Sequence, residues 1–283
     1  VLTTPDGLAY EGDWADGQMT GQGKLVQPNG DSYEGGFLNG MRNGEGTLLH
    51  KGGDVYIGSW KNDRRHGQGV FSAADGFRYE GSWVEGRMSG TGSITYPDGA
   101  VYVGAMKDDQ PQGKGAITYP DGSTYEGDWQ GGLMTGTGRA TYPDGRVYEG
   151  AVRNGQPHGV GTMTQPDGYR YEGDWVDGQR EGVGSAVYAD GSLYKGTFKA
   201  GLRNGEGEFT TPDGFRYVGS WVAGVIEGKG VATYPSGDVY EGLFVAGVRE
   251  GQGKLTYASG EVAEGVWKNG ILTAPPAPAP VEA

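Results

Sequence analysis

The sequence predicts an all-β fold: an elongated, twisted antiparallel meander of about twelve β-hairpins, each 23 residues long. Three observations carry that expectation. Tyr recurs at positions 10, 33, 56, 79, 102, 125, 148, 171, 194, 217 and 240, each 23 beyond the last, with Ala263 in a twelfth slot. Counting that Tyr as zero, Gly stands at +2 in all twelve copies, and at +11, +13 and +20 in every complete one. Bulky residues alternate with small or polar ones at a period of two, the pattern of strands with one apolar face.

The first strand of each unit carries Tyr at 0 and Trp or Phe at +4, except at Met106 and Val152, with residues such as Glu11 and Asp13 on the opposite side. The second strand has Gly at +11 and +13 and an apolar residue at +15, from Leu25 and Leu48 to Leu255. Pairing +4 with +11 brings +2 to +13 and 0 to +15. Trp14 then lies over Gly21, Tyr10 beside Leu25, and the bulky residues share one face. Slots +6 to +10 form the longer loop of this hairpin. The next connection pairs +17 with +21 around three residues, usually Pro-Asp-Gly. A three-residue loop needs a positive φ at its last position, and that position is always Gly.

Strands of five or six residues are about 17 to 20 Å long. Twelve hairpins at about 4.8 Å per strand extend over roughly 110 Å, so a rod is expected. Each unit touches only its neighbours, which makes stability nearly additive along the chain. A strong right-handed twist covers the aromatic side, and the glycines permit that curl. Residues 1–271 read as one array, and 272–283, ending in "TAPPAPAPVEA", as a Pro/Ala-rich disordered tail.

The unit Tyr-Glu-Gly-Asp-Trp, then Asn-Gly or Asp-Gly, Gly-x-Gly and Tyr-Pro-Asp-Gly, resembles the MORN repeat (membrane occupation and recognition nexus). The resemblance runs from residue 1 to about 271 in unbroken register. It implies a twisted all-β ribbon and, for many members, scaffold work: dimerisation, tethering to membranes or the cytoskeleton, or service beside a catalytic domain. Some members are proposed to bind phosphoinositides. Others bind zinc at dimer contacts, a feature this chain departs from with no Cys and 3 His.

Composition narrows the function. Only 35% of the 283 residues are hydrophobic while 59 are Gly, too few aliphatics for a large conventional core, yet 11% are aromatic, too many for a disordered tract. No apolar run approaches the roughly 20 residues of a membrane-spanning helix, and no signal peptide is visible. The chain opens on Val1 rather than Met, which leaves room for a leader or a further domain. A cytoplasmic or peripheral membrane-associated location is favoured, with an exported form still open. A net charge of −13 argues against nucleic acid.

Catalysis and cofactors are not expected. His50, His66 and His158 stand in separate units with no triad spacing, and the recurring carboxylates are turn formers. The Gly-rich stretches lack the helix N-terminus that a dinucleotide fingerprint needs. The Asp-Gly turns supply one Asp per 23 residues, sparse for calcium.

For most rings of the aromatic stripe the plain reading is core, with the Tyr hydroxyls as the accessible part. Additional Tyr at +17 (Tyr96, Tyr119, Tyr142, Tyr188) makes the central third the preferred groove. Its other candidate walls are Tyr79, Trp83, Tyr102 and Tyr125, followed by Trp129, Tyr148 and Trp175. Basic residues gather in the loops at +5 to +10, and Lys61, Arg64, Arg65 and His66 form the densest cluster, a candidate anion or lipid-headgroup contact. The last strand, Val262 to Trp267, offers unpaired backbone groups, inviting a homodimer through the terminal units.

Together these features suggest a non-catalytic scaffold or adaptor with protein partners. The alternative is a module that takes lipid headgroups, acyl chains or glycans through the aromatic groove and basic loops. A third reading is a permanent subunit of a larger assembly.

Overall fold

A computed structural model describes residues 1–274. The chain divides into two compact units, Val1–Pro143 and Asp144–Ala283, and the architecture is given for each. Both are built only of β-strands, with no helix among the described residues. Within each unit every recorded strand pair is antiparallel and joins sequence neighbours, as in Ala9–Ala15 with Gln18–Val26 and the latter with Ser32–Leu38.

The hairpin register differs from the expected one in an instructive way. Tyr10 pairs with Leu25 and Gly12 with Gly23, as expected, but Trp14 meets Met19 rather than Gly21. Gly21 pairs instead with Phe37, the +4 residue of the following unit. The cause lies at the turn. Instead of a longer loop, the hairpin closes on two residues, Asp16 (φ 48°) and Gly17 (φ 74°), whose paired positive φ values match the twist of the flanking strands. This tight closure sets +4 opposite +9, and the surplus residues leave as a bulge around Gly21, at φ 59°. The strands therefore run to seven and nine residues rather than five or six. At the other edge the expectation holds: Gln27 N–H donates to Asp31 O at 2.8 Å around the loop that ends on Gly30.

In each unit the core is a row of rings on one face. All eleven tyrosines of slot zero are buried, from Tyr10 at 0% exposure to Tyr125 at 4%. Where both flanking +4 slots are aromatic, each Tyr edges onto two rings: Tyr33 meets Phe37 of its own repeat at 5.1 Å and Trp60 of the next at 5.3 Å, both near perpendicular, whereas Tyr79 and Tyr102, beside Met106, meet one each. Such edge-to-face pairs add about 0.5 to 1.5 kcal/mol each beyond the area they bury. Trp14, whose strand is flanked on one side by only the short pairing of Leu2–Thr3 with Ala9 and Tyr10, is 44% exposed, against 5% for Trp60 between two full hairpins.

The C-terminal end also departs from expectation. Val262–Lys268 is not the last strand, because Ile271–Ala274 returns to pair with Val266, Trp267 and Lys268. Leu272 to Ala274 thus belong to a strand, and the rest of the predicted tail lies outside the described residues.

Candidate functional site

In each unit two aromatic rows lie on the inner face, the one that carries slot zero, and their polar atoms distinguish them. In the first row every slot-zero hydroxyl donates to the carbonyl three residues on, as Tyr79 Oη to Ser82 O at 2.9 Å and Tyr102 Oη to Ala105 O at 2.8 Å. The indoles donate backwards, Trp83 Nε1 to Gly69 O at 3.2 Å and Trp129 Nε1 to Gly115 O at 3.0 Å. Trp175 does the same to Gly161 O at 3.0 Å. Seven predicted groove residues sit in this row: Tyr79, Trp83, Tyr102, Tyr125, Trp129, Tyr148 and Trp175, none more than 6% exposed. They form walls and floor rather than a contact surface. Burial pushes the phenols of Tyr79, Tyr102 and Tyr125 up to about 12.

The +13 glycines make this packing possible. A Cβ on Gly92 would stand 2.4 Å from Tyr79 Cε2, so the ring lies directly on backbone.

The second row runs along the three-residue loops. Tyr96, Tyr119, Tyr142 and Tyr188 are half-buried there. Slots +21 and +17 face each other across the next hairpin, which brings Phe77 to 6.3 Å from Tyr96 and Tyr169 to 5.7 Å from Tyr188. Sequence reading found the +17 tyrosines of the middle repeats but missed Tyr234 and Tyr257 at the same slot, and Phe77, Tyr169 and Phe215, which extend the second row of their own unit from +21. The signal was present: from Phe77 onward each of these loops carries one aromatic, at one slot or the other. The hydroxyls of Tyr96 and Tyr119 donate to no acceptor among the described residues, unlike those of the first row.

The arginines correct a further expectation. Arg42, Arg65, Arg180, Arg203 and Arg249 lie in strands at +9, not in loops. The guanidinium of Arg65 stacks over Trp83 at 4.2 Å, that of Arg203 over Trp221 at 4.2 Å, and that of Arg249 over Trp267 at 4.5 Å. Arg65 Nη2 also donates to Gly86 O at 3.2 Å, clasping the next turn. Of the predicted anion cluster, Lys61 and Arg64 are exposed, Arg64 meets Glu85 at 2.6 Å, and His66 is half-buried with its Nδ1 enclosed and unpaired.

In the second unit the inner face forms a groove of about 730 Å³, lined among others by Met163, Tyr169, Trp175, Arg180, Tyr188 and Asp190. Arg180 donates to the Tyr169 hydroxyl. A carboxylate row borders the loops of both units: Asp98 Oδ1 accepts from Ala100 N–H at 2.9 Å and Asp121 Oδ1 from Ser123 N–H at 2.8 Å. The hydroxyl and N–H of Ser123 hold the Asp121 carboxyl below its ordinary range. His50 Nδ1 lies 3.0 Å from Asp31 in the first unit, and His158 Nδ1 lies 3.4 Å from Asp177 in the second. No group of three or more His, Cys, Asp or Glu is gathered for a metal among the described residues.

Hairpins of 23 residues, with Tyr at 0, aromatics at +4 and glycines under the rings, define a β-repeat array. The MORN repeat model matches eleven consecutive stretches from 10–32 to 240–262, and the chain belongs to the MORN repeat family. No curated protein matches it.

Among solved structures, the TCP10 domain of Danio rerio CPAP in complex with a STIL peptide is 16% identical, covering 92% of this chain and 100% of that one at a TM-score of 0.25. The TCP10c domain of Drosophila melanogaster Sas-4 is 17% identical, with 78% and 97% covered and a TM-score of 0.17. A virginiamycin B lyase from Staphylococcus aureus is 11% identical, with 91% and 88% covered and a TM-score of 0.16. Overlaps of that size carry no functional weight.

Proposed function

We propose that the chain is a non-catalytic scaffold or adaptor whose protein partners dock on the second aromatic row of the inner face. One observation carries this reading: the first row satisfies its own hydroxyls and indoles internally, while Tyr96 and Tyr119 keep half-exposed rings and unpaired hydroxyls. Such rings offer large contact area at low entropic cost, with a polar tip left for a partner. Membership of a repeat family suits it, since stacked units present continuous surfaces. The separation of His50, His66 and His158 supports the absence of catalysis.

An anion or headgroup at Lys61 and Arg64 would compete with Glu85, and Arg65 is committed to Trp83, which ranks that contact below the aromatic row. Strand addition between two copies at Val262–Lys268, half covered by Ile271–Ala274, is the route to a homodimer.

A photo-crosslinking amino acid placed at position 119 is expected to give discrete adducts with partner polypeptides in native extract. The same group at outward-facing position 126 is expected to give none. Adducts from position 126 alone would place the interface on the wrong face.

A further inference from the structure

In the first unit the second row has a regular relief. Its order across the strands is Phe77, Tyr96, Ala100, Tyr119, Ser123, since Phe77 faces Tyr96 across one hairpin and Tyr96 N–H donates to Ala100 O around the following loop. Tyr119 N–H likewise donates to Ser123 O. From Tyr96 onward large rings alternate with small residues, while Phe77 and Tyr96 stand side by side. Ala100, at 2% exposure, floors the recess between Tyr96 and Tyr119.

Equivalent residues of successive units are two strands apart, about 9.6 Å at the ordinary strand spacing. One turn of polyproline II advances three residues at about 3.1 Å each, or about 9.3 Å. The two periods agree within a few per cent, so one turn of such a helix sets one proline ring into each recess.

The border of this row is acidic. Asp75, Asp98 and Asp121 are exposed and recur once per unit beside the rings. Each gives Oδ1 to its own turn, leaving Oδ2 of Asp98 and Asp121 without a partner among the described residues. The +9 slots of these repeats hold Met88 and Pro111, not the arginines found at +9 in several others. The chain as a whole carries −13.

We propose that this row binds a proline-rich, positively charged peptide in the polyproline II conformation, running across the strands with one turn and one cation per unit. This rests on the reading that partners dock on the inner face. Proline suits the recess because its ring packs on tyrosine and its helix is preformed, while the unpaired phenol hydroxyls donate to the free carbonyls of such a helix.

The test uses the whole chain and a fluorescent peptide of four Pro-Pro-Arg repeats, read by anisotropy. Saturable binding is expected that weakens as salt rises. Pro-Pro-Glu repeats, Gly-Ser-Arg repeats of equal charge, and the chain's own segment APPAPAPVEA, which has no cation, are expected to bind at least about tenfold more weakly. Converting Asp98 and Asp121 to Asn keeps the acceptor each turn needs, and is expected to weaken binding roughly three- to tenfold with circular dichroism unchanged. Replacing Tyr96 and Tyr119 by Ala is expected to abolish it.

Equal binding of the Gly-Ser-Arg peptide, tighter binding of the chain's own segment, or indifference to the Asp and Tyr changes would each overturn the proposal. If crosslinking at position 119 captures a partner that the Pro-Pro-Arg peptide does not displace, the peptide chemistry is wrong and the interaction face stands. If neither occurs, both fall.

Discussion

Gly92→Ala is expected to destabilise the protein by about 3 kcal/mol or more, and Gly52→Ala by less than about 0.5 kcal/mol. The chemical change is the same; the surroundings differ. A Cβ at Gly92 would stand 2.4 Å from Tyr79 Cε2 and 2.6 Å from its Cζ and Oη, closer than carbon atoms approach without displacement. The ring has nowhere to go. Its hydroxyl is bonded to Ser82 O at 2.9 Å, and its edge meets Trp83 at 5.2 Å. Moving it surrenders both contacts and disturbs the turn that Arg65 clasps from the preceding unit. Gly52 is exposed, with no atom within 4 Å of the added methyl, so that variant loses nothing in the fold. Denaturant unfolding of the two variants measures the difference, and equal midpoints would remove the ring-on-backbone contact from the account.

Strong alkali is expected to unfold the chain cooperatively between about pH 10 and 12, with phenolate absorbance rising as the strand signal in circular dichroism is lost. Burial holds the phenols of Tyr33, Tyr79, Tyr102, Tyr125, Tyr194 and Tyr217 up to about 12, against about 10 in an unfolded chain. The sign follows from which state keeps its protons. Because the folded pKa is the higher, the unfolded chain releases protons first. The contribution is complete below pH 10 and is lost as pH climbs through the folded value. Several phenols in one row act in the same direction, so the transition is steep. Ionisation of the slot-zero phenols near pH 10 with the strands intact would show that these rings are not enclosed.

The repeat carried most of the fold. Eleven tyrosines in strict register and an alternation of period two were enough to place every first-row ring on one face and to find the three-residue loop ending on Gly30. Turn geometry was less legible. Asp16-Gly17 was visible as a turn signal, but counting residues does not show whether two or five of them leave the ladder; the bulge at Gly21 decides that. The arginines at +9 were misplaced for the same reason. Once the turn tightens, Arg65 moves from a loop into a strand and onto Trp83.

Of the candidate site, the rings were legible and their division into two rows was not. Tyr79 and Tyr96 look alike in sequence, and differ because one hydroxyl reaches Ser82 O within its own unit while the other finds no carbonyl. Phe77 was missed because its neighbour Tyr96 is 19 residues away and becomes adjacent only through the hairpin.

The central claim is that one face carries an enclosed row of rings and, beside it, an accessible one. Hydroxyl-radical footprinting of the native protein tests both halves together, residue by residue. Oxidation of Tyr96 and Tyr119 is expected at several times the rate of Tyr79, Tyr102, Trp83 and Trp129. Equal rates in the two rows, or faster oxidation of the slot-zero rings, would contradict it.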